Sequence, residues 1–186
     1  TLDVFRNRLG ESGSISGETT ICSGTSSVVI SSTAAGSVLT GNVVYSWQRS
    51  TTSATSGFTT INGETAATLS PGALSQTTFF RRGIASSSAP GTVFYTLPVK
   101  ITVNALPTIS QAPNVSSCGP GTVPLSAQTS AGDGSFVRWY DAATGGSLLG
   151  RVASGAVFTS PAISQSTTFY AEAETASGCI SAARVA

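Results

Sequence analysis

The sequence contains no histidine at all, and only 9% of its 186 residues are charged. The lack of histidine excludes Ser-His-Asp and Cys-His nucleophilic sites and most zinc sites, because these sites depend on an imidazole. An ordinary soluble domain has about a quarter of its residues charged, so solubility here must come from the many serine and threonine hydroxyls. We therefore expect a protein that is not an enzyme, with no catalytic residue, no metal site and no cofactor.

The chain also lacks a charge excess and a long apolar run. Its formal net charge is +1, which provides no basic surface for nucleic acid. No stretch approaches the roughly twenty apolar residues that span a bilayer, so we expect no membrane insertion. The sequence begins with Thr1 rather than methionine and stops within a strand-like run, which favours a piece of a longer protein.

Cysteines are few, and their number is odd. Cys118 and Cys179 bracket the second half and belong to no CxxC pair, which favours a structural disulfide between them over a zinc or redox site. Closing a loop of about sixty residues would contribute about 4 kcal/mol and would imply an oxidising compartment. We predict that Cys22 is unpaired, as a buried free thiol; the alternative is a partner outside this sequence.

What the sequence does contain is an internal repeat. Residues 70–80 read SPGALSQTTFF, and residues 160–170 read SPAISQSTTFY. Trp47 precedes the first copy and Trp139 precedes the second. The period of about ninety residues is the size of an immunoglobulin-like sandwich, so the repeat predicts two tandem modules.

Short β-type runs alternate with clusters of Gly, Ser, Thr and Pro, and no useful stretch has the apolar spacing of a helix. We predict an all-β fold of two tandem immunoglobulin-like antiparallel β-sandwiches. The last run of the first module extends over residues 93–103 and is followed by a proline, which ends it. The predicted divisions are residues 1–12, a connection from a preceding domain; residues 13–105, module 1; and residues 106–186, module 2, truncated at its last strand.

Alternation along the strands assigns side chains to the core. Trp47 and Trp139 are predicted core residues, and Phe169 lies on the apolar row of its strand. By the repeat, Phe79 is then the inward residue of the first copy, and Phe80 faces outward.

Four side chains are candidates for contact with a ligand. Arg81 and Arg82 have the chemistry to grip an anionic glycan or a partner carboxylate. The alternative places one arginine on each face of the sheet, with its stem covering apolar surface. Tyr140 and Tyr170 are aromatic residues of the kind that stack on sugar rings, although single surface aromatics are common.

The carboxylates give only weak evidence for a catalytic or metal site. Asp133 and Asp141 flank a strand, and Glu172 and Glu174 share one strand face, so a glycosidase pair or a calcium site is conceivable. Scattered acids of this kind are ordinarily solvated surface, and Asp133 followed by glycine is typical of a turn. We assign no chemistry to them.

Several motifs carry a resemblance to a known family. The first module has GSISGETTICSG at 13–24, YSWQ at 45–48, TTFFRR at 77–82 and VKITV at 99–103. The second has CGPGTV at 118–123, RWYDAATGG at 138–146, TTFYAEA at 167–173 and GC at 178–179. These motifs resemble immunoglobulin-like modules of large secreted and cell-surface proteins of the Bacteroidota, including gliding-motility adhesins exported by the type IX secretion system.

The resemblance implies a repeat segment of an extracellular adhesin on the outer-membrane surface, and it implies that type IX secretion and motility machinery are partners of the full chain. Such modules form a stiff, disulfide-stapled filament with weak, multivalent attachment to surface polysaccharide or to abiotic surfaces. The alternative is a spacer or substrate-targeting module of a secreted polysaccharide-degrading enzyme. One departure concerns Cys22, because related modules have a second cysteine where this chain has GIASSSAPG at 83–91.

Overall fold

The protein is represented by a computed structural model that describes residues 10–186. The chain divides into two compact units, the first ending at Asn104 and the second comprising Ala105–Ala186, and these are module 1 and module 2. Of the expected connection at residues 1–12, residues 1–9 lie outside the described part.

All regular structure in residues 10–186 is β. Module 1 contains β1 (Ser14–Ser16), β2 (Thr19–Cys22), β3 (Ser31–Ala34), β4 (Val43–Ser50), β5 (Thr59–Ile61), β6 (Thr78–Ser86), β7 (Ala89–Tyr95) and β8 (Val99–Asn104). Module 2 contains β9 (Ile109–Gln111), β10 (Pro124–Leu125), β11 (Gln128–Thr129), β12 (Phe136–Tyr140), β13 (Leu148–Ala153), β14 (Phe158–Thr159) and β15 (Tyr170–Glu174). The all-β prediction is confirmed, and within residues 10–186 no helix is long and apolar enough to cross a membrane.

Module 1 is built on a six-stranded sheet with the order β2-β8-β6-β4-β5, in which β7 also pairs with β6. A second layer contains the β1–β3 pair and the bridge between Ile30 and Leu69. Trp47 and Phe80 from the large sheet pack with Ile30 and Leu69 into one buried cluster. The apolar faces of the two layers thereby cover each other, as in a sandwich.

One pairing in module 1 departs from the predicted antiparallel arrangement. β2 and β8 run parallel, with Thr19 opposite Ile101 and Cys22 opposite Asn104. This ladder therefore joins a strand near the beginning of the module to the strand at its end.

The predicted single run at residues 93–103 is two strands. β7 pairs with the second half of β6, and β8 pairs with Thr78, Phe79 and Phe80 at its beginning. The two strands are separated by residues 96–98, where the amide of Thr96 donates to the carbonyl of Arg82 at 3.0 Å. Pro98 lacks an amide hydrogen, which suits a position between two ladders.

The assignment of Phe79 to the core is wrong. Phe80 is 1% exposed and belongs to the core cluster, whereas Phe79 is half-buried. The ladder partner of each tryptophan shows which residues of the two modules are equivalent. Trp47 pairs with Arg82, and Trp139 pairs with Ala171. Aligned by these pairings, Phe80 rather than Phe79 corresponds to Phe169. A shift of one residue exchanges the two faces of a strand, so Phe80 is the inward residue.

Module 2 is built on the three-stranded sheet β13-β12-β15, with the short pairs β10–β14 and β9–β11 beside it. Val137, Trp139 and Ala171 form its buried cluster together with Ala127, and Phe169 is half-buried against this cluster. Trp139 also stacks on Phe158, with ring centroids 5.7 Å apart. Small side chains on β15 thus make room for the large indole of β12.

Candidate functional site

Arg81 lies on the outward face of β6, in an aromatic stack. Its guanidinium carbon is 4.0 Å from the ring centroid of Phe58 and 4.0 Å from that of Tyr95. Its Nε and Nη2 donate to Oε1 of Gln48 at 2.9 and 2.7 Å, and Nε2 of Gln48 donates to the hydroxyl of Tyr95 at 3.1 Å. Two aromatic rings and one side-chain acceptor already contact the guanidinium, so less of it is available to a ligand.

The strand pairing positions this group. Gln48 is opposite Arg81 in the β4–β6 ladder, and Tyr95 enters from β7 on the other side of β6. Arg81 was a candidate from the sequence, but its partners Gln48, Phe58 and Tyr95 were not predicted. Strand alternation gives the face of a residue but not its neighbour on the next strand, so no signal in the sequence identified them.

Arg82 lies on the opposite face of β6 and is fully buried. Its Nη1 donates to Oγ of Ser32 at 2.6 Å and to the carbonyl of Ala67 at 3.0 Å, and its Nη2 donates to the carbonyl of Ala34 at 2.8 Å. The guanidinium carbon is 4.8 Å from the ring centroid of Tyr45. Burial lowers the pKa of Arg82, because desolvation disfavours the charged form. This side chain joins the two layers and is withdrawn from any ligand, which corrects its assignment as a ligand contact.

A charged surface covers the outer face of the module 2 sheet. We call it the arginine–glutamate face, and it consists of Arg138, Arg151, Glu172, Glu174 and Arg184. Arg151 donates to both carboxylate oxygens of Glu174, at 2.8 and 3.2 Å. Nη1 of Arg138 is 3.4 Å from Oε2 of Glu172, and Nε of Arg184 is 3.5 Å from Oε1 of the same residue. The charges are therefore paired with each other.

Tyr140 contacts two residues of this face but is itself buried, so the prediction that it is a candidate ligand contact is wrong. Its hydroxyl donates to Oε2 of Glu172 at 3.1 Å, and the guanidinium of Arg184 lies 3.3 Å from its ring centroid. Tyr170 stands opposite Tyr140 in the β12–β15 ladder and is half-buried. The structure thus pairs these two tyrosines across neighbouring strands, with charged groups against Tyr140.

The carboxylates of module 2 are engaged in structural contacts. The hydrogen bond from Arg151 lowers the pKa of Glu174, against the opposing effect of burial. Oδ1 of Asp141 accepts a hydrogen bond from the amide of Ser147 at 2.7 Å, which closes the turn between β12 and β13. Within residues 10–186, no group of three or more His, Cys, Asp or Glu residues could hold a metal ion.

The cysteines differ from the prediction. Cys22 and Cys179 are both disulfide-bonded, and Cys118 is an exposed free thiol. The predicted bond between Cys118 and Cys179 is therefore wrong, as is the prediction that Cys22 is unpaired. A disulfide requires two Cβ atoms about 4 Å apart, and the spacing of cysteines in the sequence does not report that distance.

Each module matches a known family model. The family model described as a domain of unknown function (DUF8696) matches residues 11–105, and the model of an Ig-like domain described as CHU_C associated matches residues 105–186. No curated protein matches the chain.

Among solved structures, the fibronectin(III)-like modules of Clostridium thermocellum CbhA match with 16% identity, 91% coverage of this chain, 86% coverage of that chain and a TM-score of 0.35. That score is too low to support any conclusion about this chain. The Ig-like match to module 2, together with the disulfide-bonded Cys22 and Cys179, indicates a module-bearing secreted bacterial protein.

Proposed function

This chain belongs to the family described as a domain of unknown function (DUF8696), and we propose that it is a load-bearing, non-catalytic segment of a bacterial cell-surface adhesin of the gliding-motility type. Its role is to transmit force along the polypeptide while surface contacts are made by many weak attachments. Outer-membrane surface location and export by the type IX machinery are parts of the same proposal.

The parallel pairing of β2 with β8 is the observation that carries this proposal. Tension on the chain pulls β2 from its beginning and β8 from its end. In a parallel pair these two points are at opposite ends of the ladder, so the force shears the strands along their axis. All hydrogen bonds of the ladder then resist together, whereas a pair pulled from one end opens bond by bond.

The β2–β8 ladder is anchored in the core. β8 lies between β2 and β6, so it is paired on both edges. Ile101 is fully buried, and the amide of Val103 donates to Oγ1 of Thr77 at 3.1 Å. Sliding β8 therefore requires that apolar surface be exposed as well as that hydrogen bonds be broken.

The surface chemistry supports weak attachment. On the arginine–glutamate face the charges neutralise one another, and in module 1 the guanidinium of Arg81 lies 4.0 Å from the ring centroids of both Phe58 and Tyr95. Neither surface offers a free cluster of charge with high affinity for an ionic ligand. Repetition of weak contacts raises the effective concentration and can supply avidity without a strong single site.

Single-molecule force spectroscopy of the reduced fragment, in which no disulfide carries the tension past β8, tests the load-bearing role. In a parallel ladder only alternate residues of an edge strand donate toward the partner, so Thr19→Pro and Thr20→Pro form a matched pair. Both threonines are exposed. We expect one substitution to lower the unfolding force of module 1 clearly and the other to leave it near that of the parent chain. Equal unfolding forces for the parent and both variants would show that the β2–β8 ladder bears no load.

A binding experiment separates the adhesin from the spacer or substrate-targeting alternative. The purified fragment is tested as a monomer and as an artificial multimer on a panel of polysaccharides and abiotic surfaces. Attachment only by the multimer is the result expected of an adhesin. Binding of the monomer to one polysaccharide would mean a defined pocket and would replace the adhesin proposal with the substrate-targeting one.

A further inference from the structure

The turn that follows β5 in module 1 contains the dipeptide Asn62-Gly63. Both residues are exposed. Gly63 has a φ of +85°, and a Cβ placed on it would meet nothing within 4 Å. Glycine suits this position because it adopts a positive φ without steric cost. The backbone on the carboxyl side of Asn62 is therefore open to solvent and uncrowded.

Hydrogen bonds do not restrain the two amides of this turn. Within residues 10–186, the backbone amide of Gly63 and the side-chain amide of Asn62 have no hydrogen-bond partner. The backbone of Asn42 is held differently, because its amide donates to Oγ of Ser87 at 3.0 Å and its carbonyl accepts from the amide of Ser87 at 2.9 Å. Asn62 can therefore change its local geometry without opening the fold, whereas Asn42 cannot.

We propose that Asn62 is a modification site, at which the folded protein loses the side-chain amide without an enzyme. The deprotonated backbone nitrogen of Gly63 attacks Cγ of Asn62, so that a bond forms between these two atoms while the Cγ–Nδ2 bond breaks. The proton lost from the backbone returns through water to the leaving nitrogen, which departs as ammonia. Water then adds to one of the two carbonyls of the resulting cyclic imide and reopens it to aspartate or isoaspartate, with no oxidation or reduction.

The reaction changes the segment that follows β5 in two ways. It replaces a neutral amide by a carboxylate two residues before Glu64, and isoaspartate lengthens the main chain by one carbon. The lengthened backbone leads to Ala66 and Ala67. The carbonyl of Ala66 accepts from Nε1 of Trp47 at 2.8 Å, and that of Ala67 accepts from Nη1 of Arg82 at 3.0 Å. The site thus lies close in the chain to contacts that hold buried polar groups, and it does not depend on the load-bearing role.

Asn114 provides a matched internal control. It is exposed like Asn62 and belongs to no strand, but Val115 follows it instead of a glycine. The stiff, branched side chain of Val115 crowds the backbone nitrogen and hinders its approach to Cγ of Asn114. Asn114 should therefore react much more slowly than Asn62, whereas exposure alone would give the two asparagines equal rates.

The test incubates the whole fragment at neutral and at mildly alkaline pH. Peptide mass spectrometry, with fragmentation that distinguishes aspartate from isoaspartate, follows both asparagines. We expect Asn62 to give both products, and to react faster at the higher pH because the nucleophile is a deprotonated nitrogen. Its rate in the native fragment should lie within about tenfold of its rate in urea, since no costly opening precedes the reaction.

The variant Asn62→Gln assigns the reaction to this residue, because glutamine would have to close a larger ring. Anion-exchange chromatography of the incubated parent fragment should show a new, more acidic species, and this species should be lost in Asn62→Gln. The proposal is overturned if that species forms equally in the variant, or if Asn62 and Asn114 convert equally. It is also overturned if Asn62 gives no isoaspartate, or if its native rate lies more than about tenfold below the rate in urea.

Discussion

Arg82 lies opposite Trp47 in the ladder between β6 and β4, and both side chains are completely buried. The guanidinium is held by neutral acceptors on Ser32, Ala34 and Ala67. A buried ion costs several kcal/mol unless its hydrogen bonds are made, so these contacts are a condition for the fold of module 1. The same contacts connect the large sheet to the second layer.

The two neighbouring arginines should therefore differ in their effect on stability. Arg82→Lys should lower the free energy of unfolding by about 2–4 kcal/mol, because an ammonium group cannot reproduce the planar fork that reaches three acceptors. Arg81→Lys should cost less than about 1 kcal/mol, since Arg81 is only partly buried. Urea denaturation monitored by tryptophan fluorescence measures both. Similar losses of unfolding free energy for the two variants would contradict the burial of Arg82 in the core.

Module 2 should lose stability in acid through Glu174. Its pKa is lowered below the ordinary value of 4.5 in the folded protein, chiefly by the hydrogen bond from Arg151. The stabilisation from a depressed carboxyl pKa is present above the unfolded value and is lost as the pH falls through the folded one. Glu174→Gln should therefore flatten the decline in melting temperature below pH 4.5. A decline of the same slope in both proteins would contradict the assignment.

The three cysteines should separate by reactivity. In the unreduced native fragment, iodoacetamide should modify Cys118, whereas Cys22 and Cys179 should react only after reduction. Peptide mass spectrometry reads the outcome directly. Cys179→Ser should cost about 2–5 kcal/mol, as loss of a native disulfide usually does, and Cys118→Ser should change stability little. Alkylation of Cys22 without reductant would contradict the bonded state.

Gly150 should tolerate no side chain. It lies opposite Trp139 in the β12–β13 ladder, and a Cβ there would stand 2.5 Å from Cε2 of Phe158. Gly150→Ala should cost about 1–3 kcal/mol, because the Phe158 ring must leave its stack on Trp139. Gly91→Ala is the control, since a Cβ at Gly91 meets open space, and it should change stability by less than about 0.5 kcal/mol. Equal losses of stability on thermal unfolding of the two variants would show that Phe158 does not contact this position.

Much of the candidate site was beyond the reach of sequence reasoning. Arg81 and Arg82 were both candidate ligand contacts. Arg82 is buried and Arg81 is not, because the Arg82 side of β6 is the one that points to the core. The internal repeat misled this assignment, because it aligned Phe79 with Phe169 when Phe80 is the structural equivalent. The pairing of Arg151 with Glu174 was also missed, since the two residues are neighbours only through β12 and its adjacent strands.

The sequence alone determined the all-β class, because periodicity and turn residues act locally and are readable without knowledge of partners. The absence of histidine likewise restricted the available chemistry by composition alone. Only the tertiary structure decided the parallel pairing of β2 with β8, the burial of Arg82 and the bonding state of Cys22. Each of these depends on which distant segments become neighbours, and a shift of one residue in strand register reverses which side chains meet.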